Sequence, residues 1–149
     1  MANQCSTSII VKCPTERHLR KLQKALRHKL KKANERGQGL YLGSTARPFF
    51  DLSLQRHDDS LLLEGWVKWC IEQDEMSALA RYLESIAPVS CITVSYEETG
   101  NFLYGRYTYR NGVLTDTFLT PSDFNDDTDD DPGRLRLLLD GKPSYRIAV

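Results

Sequence analysis

An α+β fold, with two helices set among short strands and a strand-rich remainder, is predicted by three observations. Two stretches carry apolar residues at three- and four-residue intervals, and several shorter ones alternate apolar with polar residues. Between them stand Pro, Gly and Asn, where a chain must turn. At 149 residues and 40% hydrophobic content the chain is long enough for one compact domain whose core needs no disulfide staples.

Residues 8–13 (SIIVKC) are a β-rich run, and Pro14-Thr15 follows with helix-start chemistry, Thr15 as the N-cap. A helix then runs to about residue 36 and stops at Gly37, with Leu19, Leu22, Leu26, Leu30 and Ala33 on one face. Residues 38–48 form a loop rich in Gly and small side chains. Residues 49–56 alternate as a strand, placing Phe50, Leu52 and Leu54 on its buried side. After a polar turn at 57–60, residues 61–70 give a second strand with Leu61, Leu63, Gly65, Val67 and Trp69 inward. Glu72, Asp74 and Glu75 load the positive dipole end of a second helix, whose buried stripe is Met76, Leu79, Leu83 and Ile86 and whose end is Pro88.

Residues 89–97 make a strand with Ile92, Val94 and Tyr96 inward, and Thr99-Gly100-Asn101 turns the chain into a strand at 102–110. Asn111-Gly112 suits a type I′ turn, which needs positive φ at both central positions, so residues 113–119 pair back on 103–109. Residues 121–133 read as an exposed acidic loop. Residues 135–139 and 145–149, joined through Asp140-Gly141, read as a last hairpin. The order β-α-β-β-α-β with extra C-terminal strands predicts a ferredoxin-like split βαβ antiparallel sheet with two helices on one face. Residues 1–120 are then the ferredoxin-like domain, 121–133 the acidic loop, and 134–149 a hairpin extension packed on the same domain. The sheet face without the two helices is left open or covered by that extension.

Charge is segregated behind a neutral total. Residues 1–48 hold eleven Lys/Arg against two Glu, a net +9, and residues 49–149 hold nine against eighteen acids, a net −9. Residues 15–36 carry nine Lys/Arg and two His, while residues 123–131 carry six Asp and no base. On the first helix Arg17, Lys21, Lys24, His28, Lys31 and Lys32 project away from the leucines, with Arg27 on the flank. Only Glu16 and Glu35 dilute this face, which predicts a binding surface for a polyanion, nucleic acid or acidic protein. Asp126, Asp127, Asp129, Asp130 and Asp131 form an opposite pole that either meets a partner or shields the helix, in the same molecule or a second copy. Gly65-Trp66-Val67-Lys68-Trp69 matches the later part of an RNA-recognition strand, with Trp66 to stack on a base and Lys68 to contact phosphate, although Glu64 would repel that phosphate.

No residue set identifies a reaction. His57 beside Asp58 can be read as a general base, but no nucleophile signature accompanies it, and a solvated turn is the simpler expectation. Cys5, Cys13 and His18 do not have the intervals of a zinc finger, and the Asp-rich stretch puts Pro132 where a calcium loop needs Gly and Leu138 where it needs Glu. Neither a metal nor a cofactor is therefore expected. No secretion signal or membrane-spanning run is read, so a cytoplasmic protein with Cys5, Cys13, Cys70 and Cys91 reduced is expected.

Met1-Ala2-Asn3-Gln4-Cys5 followed by Ile9-Ile10-Val11, with Tyr96-Glu97-Glu98-Thr99-Gly100, Gly105 and Asn111-Gly112, resembles the YubB-like ferredoxin-like proteins carried by bacterial plasmids and phages. The likeness spans about residues 1–119, and Cys13-Pro14 stands where that family has Gly-Pro. It implies the same fold and a mobile-element origin, and brings no chemistry with it. The expected function is a non-enzymatic accessory protein that binds a protein or protein–nucleic acid partner through the basic helix, a role that suits counteracting a host defence. The alternatives are a sequence-tolerant DNA- or RNA-binding protein and, third, a hydrolase using His57.

Overall fold

A computed structural model describes residues 4–43, 47–125 and 131–147. Among them the elements run β1 (Gln4–Lys12), α1 (Glu16–Arg36), β2 (Phe50–His57), β3 (Ser60–Lys68), α2 (Gln73–Ile86), β4 (Cys91–Glu98), β5 (Leu103–Arg110), β6 (Val113–Phe118), α3 (Pro132–Asp140) and β7 (Tyr145–Ile147). The fold is α+β: among the described residues, one seven-stranded sheet in the order β2-β3-β1-β4-β5-β6-β7, antiparallel at every pair, with three α-helices. No helix among the described residues is long and apolar enough to cross a membrane.

Helix α1 forms where its local signals place it. The Thr15 hydroxyl accepts from the His18 N–H at 3.2 Å, and Gly37, at φ 62°, donates back to Ala33 and Asn34. Leu19, Leu22, Leu26 and Leu30 are buried on the sheet, and α2 adds Met76, Leu79, Ala80 and Leu83 to the same core. Cys5, Ile9 and Val11 of β1, Leu61, Leu63 and Val67 of β3, and Ile92, Val94 and Tyr96 of β4 meet them. All these strand residues lie at alternate positions, so α1 and α2 cover one face. Asn111 and Gly112 take φ of 52° and 75°, and β5 and β6 pair as the Asn-Gly turn predicts.

Four expectations are corrected. First, residues 135–139 belong to a helix. Leu135, Leu137 and Leu139 satisfy a period of two, but Leu135, Leu138 and Leu139 equally satisfy a helical face, and the Asp131 side chain caps the Arg134 N–H with Pro132 in the first turn. The predicted hairpin is therefore α3 followed by β7, which pairs with β6. Second, Phe49 is the buried phenylalanine and Phe50 faces the other way, because the register shifts between Phe50 and Ser53 and Asp51, at φ 52°, makes the bulge. Third, Trp69 lies outside the core at 52% exposure, since it takes φ 63° just past the end of β3.

Fourth, Cys5 and Cys70 are joined in a disulfide, with Cα atoms 5.1 Å apart, while Cys13 and Cys91 are free. Antiparallel pairing sets Cys5 opposite Val67, and the turn of the backbone at Trp69 brings Cys70 back to it. A separation of 65 residues gives no local sign of that contact.

Candidate functional site

The solvent side of α1 assembles most of the predicted binding residues. Arg17, Lys21, Lys24, His28 and Lys31 follow one another by four, three, four and three positions, a spacing that keeps them on one helical face opposite the buried leucines. Lys32 and Arg27 border the stripe, and all seven side chains are exposed. From Arg17 to Lys32 the stripe is about 22 Å long at 1.5 Å per residue. Among the described residues none of the seven is in an ion pair.

Of the two acids that border this face, Glu16 is already engaged, while Glu35 is in no ion pair among the described residues. Glu16 accepts from Arg20 at 3.1 Å and pairs with Arg56 of β2, and hydrogen bonding from Arg56 holds its carboxyl below the ordinary range. Lys29 turns the other way, donating to the Tyr82 hydroxyl at 3.2 Å with its ammonium 4.2 Å from that ring's centroid. Apart from Glu16, which Arg20 and Arg56 share, and Glu35 near the helix end, α1 has no acid to neutralise the exposed Lys and Arg side chains. They can bind a row of anionic groups by charge and by N–H donation, with Lys31 and Lys32 favoured near the helix C-terminus.

Trp66 and Lys68 lie on the opposite face of the sheet from α1. Trp66 stacks on Phe50 with centroids 4.6 Å apart, and its indole N–H donates to Asp51 Oδ2 at 2.8 Å, so the ring is committed to packing on β2. Across this outer face Trp66, Ser6, Glu97 and Tyr104 are successive cross-strand partners, and so are Glu64, Ser8, Ser95 and Arg106. Helix α3 packs over the β5 side of it through Leu135 and Leu139, with Tyr104 against them. Between α3 and β1 remains a polar groove of about 430 Å³ lined by Ser6, Ser8, Glu64, Ser95, Glu97 and Arg136, among others. Its two glutamates oppose a phosphate backbone, and Arg106 is held by Asp140 at 3.0 Å.

Of the acidic pole, Asp126, Asp127, Asp129 and Asp130 lie outside the described residues, and Asp131 is the N-cap of α3. Phe124 packs with Leu135 and Leu139, so the described residues on either side of 126–130 sit on the sheet face away from α1. His57 is at an exposed hairpin end, with Nε2 3.1 Å from Gln55 Oε1.

Sequence reasoning passed over Arg47. Its guanidinium donates to Glu75 Oε1 at 2.6 Å and to the carbonyls of Lys68 and Cys70 at 2.5 and 2.6 Å, and its N–H donates to Glu75 Oε2 at 2.8 Å. Burial by itself would raise the Glu75 carboxyl, but the hydrogen bonds from Arg47 and the Glu72 backbone outweigh it and hold the group below its usual range. Glu72, Asp74 and Glu75 lie close enough together to suggest a cation, and Arg47 already occupies Glu75. A lone Arg after a loop carries no sequence signal for such a clamp. The polar groove was equally unannounced, because its serines come from strands distant in sequence.

Comparison of the chain with family models, curated proteins and solved structures found no match.

Proposed function

We propose that this chain is a non-enzymatic binding protein that engages a polyanionic partner, a nucleic acid or a nucleoprotein complex, through the solvent face of α1. What supports this is the stripe of six exposed Lys and Arg side chains with His28 among them, none ion-paired among the described residues. Like charges three and four residues apart cost roughly 0.2–0.5 kcal/mol per pair, and alternating signs would serve solubility without that cost. A phosphate backbone offsets the repulsion and releases counterions on binding. The outer sheet face is the poorer candidate, since Glu64 and Glu97 stand in its groove and Trp66 is held by Phe50 and Asp51.

The unit that carries α1 is taken as a ferredoxin-like split βαβ core extended beyond β4. The order β2-β3-β1-β4 within the larger sheet and the placement of α1 and α2 on one face support it. The resemblance to YubB-like proteins supports an accessory role on a plasmid or phage, where occupying a host nucleoprotein complex would suit a rigid cationic face.

Fluorescence anisotropy with single- and double-stranded DNA and RNA tests the proposal. Binding should weaken as salt rises, with a log–log slope of about −0.9 per duplex phosphate contacted, and Lys24→Glu with Lys31→Glu should reduce affinity and flatten the slope. No binding to any of the four nucleic acids at about 50 mM salt, where the electrostatic contribution is large, would overturn it.

A further inference from the structure

The cationic face of α1 is not uniform. Its first half borders an open depression of about 480 Å³ lined by Arg17, His18, Arg20, Lys21, Lys24 and Pro88. Pro88, in the turn between α2 and β4, walls the depression, so here the stripe is concave. Arg17, Lys21 and Lys24 bring to it, within about 10 Å of helix, three cations that are in no ion pair among the described residues, and Arg20, paired with Glu16, lies beside them. His18 is half-buried, with Nδ1 enclosed and without a hydrogen-bond partner, which leaves Nε2 as the ring atom able to serve a ligand. Such a density of donors against one wall exceeds what a single phosphodiester, with one negative charge, can neutralise. A phosphomonoester or diphosphate carries close to two charges or more and offers three or more acceptor oxygens on one group.

We infer that this depression is an anchor for a terminal phosphate, a phosphomonoester or diphosphate group, and that the remainder of the stripe carries the chain attached to it. The inference rests on the polyanion-binding role of α1 for the attached chain, but the anchor can be tested without it. Two sources share this chemistry, a phosphorylated end of a nucleic acid and free polyphosphate, and two experiments on the full chain separate them.

In the first, a 5′-phosphorylated oligonucleotide and its 5′-hydroxyl counterpart are compared. The phosphorylated form should bind about tenfold more tightly, the worth of one strong charge-assisted contact. Arg17→Gln with Lys21→Gln should abolish that preference, whereas Lys31→Gln with Lys32→Gln, an equal loss of charge, should weaken both oligonucleotides and keep it. In the second, inorganic pyrophosphate is titrated into the isotope-labelled protein, and saturable amide shifts are expected in residues 17–24 and 89–90. Saturable shifts there with no oligonucleotide binding would uphold the anchor, point to free polyphosphate and overturn the polyanion stripe. Equal binding of the two oligonucleotides with no saturable pyrophosphate shift would uphold the stripe and overturn the anchor.

Discussion

Beneath α1 and α2 the sheet presents Ile9, Val11, Leu61, Leu63, Ile92 and Val94, none more than 1% exposed, whereas on the side that carries α3 it presents Ser6, Ser8, Ser95 and Arg106 around a polar groove. Helix α3 is held by a cluster of four buried residues, Leu119, Phe124, Leu135 and Leu139. The difference shows where the protein can carry strongly repelling charge. A helix fixed by a leucine stripe over a continuous core tolerates like-charge repulsion on its far side, because burial of each leucine contributes about 1.5–3 kcal/mol. A helix resting on a small cluster has no such margin, and local opening is expected there first.

The largest effect should come from removing that support. Leu26→Ala, at a fully buried position, should cost about 2–5 kcal/mol in chemical denaturation. Leu135→Ala, equally buried, should act mainly by raising hydrogen exchange in α3, with a much smaller change in global stability. Equal global losses in the two variants would show that the faces are one cooperative unit.

Next in size is the Cys5–Cys70 bond, which ties the interior strand β1 to the segment that leads from β3 into α2. Cys70→Ser should lower stability by about 2–4 kcal/mol, and reductant should bring the unaltered protein down to the same melting temperature. A melting temperature indifferent to reductant would remove the bond from this account.

Smaller is Glu75→Gln, which breaks a pair whose arginine is 31% exposed, for a loss of about 2 kcal/mol near pH 7. Because the Glu75 carboxyl is held below its ordinary range, its contribution is complete above the unfolded value of about 4.3. It is lost as pH falls through the lower folded value, so the gap between the two proteins should close in acid. A gap that stays constant from pH 7 to pH 3 would rule out the charged pair as its source.

Asp116 should show the opposite sign and the smallest effect. It is buried, 3.4 Å from the Tyr96 hydroxyl, and burial pushes its carboxyl up despite the hydrogen bonds from Tyr96 and the Thr117 backbone. Gly105 leaves the room for this contact, since a Cβ there would stand 2.4 Å from the Tyr96 oxygen. With a raised folded value, stability falls as pH rises from the unfolded value of about 3.9 through the folded one. Asp116→Asn should therefore gain about 1 kcal/mol at pH 7 and nothing near pH 3. A loss at pH 7 would mean that the charge itself is used.

Much of the inner face was legible from sequence. The α1 leucines, its Thr15 and Gly37 caps and the Asn111-Gly112 turn are local signals, decided within a few residues. The Phe49/Phe50 inversion was not, because the bulge at Asp51 shifts the parity of the residues before it relative to Leu52 and Leu54, which face the core as their alternation predicts. Nor was α3, where Arg and Leu alternate in a way that fits both periods and the cap at Asp131 decides between them.

By itself the sequence determined that α1 is a helix with leucines on one side and cations on the other, since helical spacing is a property of neighbouring residues. Tertiary structure alone decided that Cys5 meets Cys70, that Arg47 binds Glu75, that the serines of β1 and β4 share a groove, and that Pro88 walls the first half of the cationic stripe. Those contacts join residues far apart along the chain. Their geometry is set by strand order and register, which no short window of residues contains.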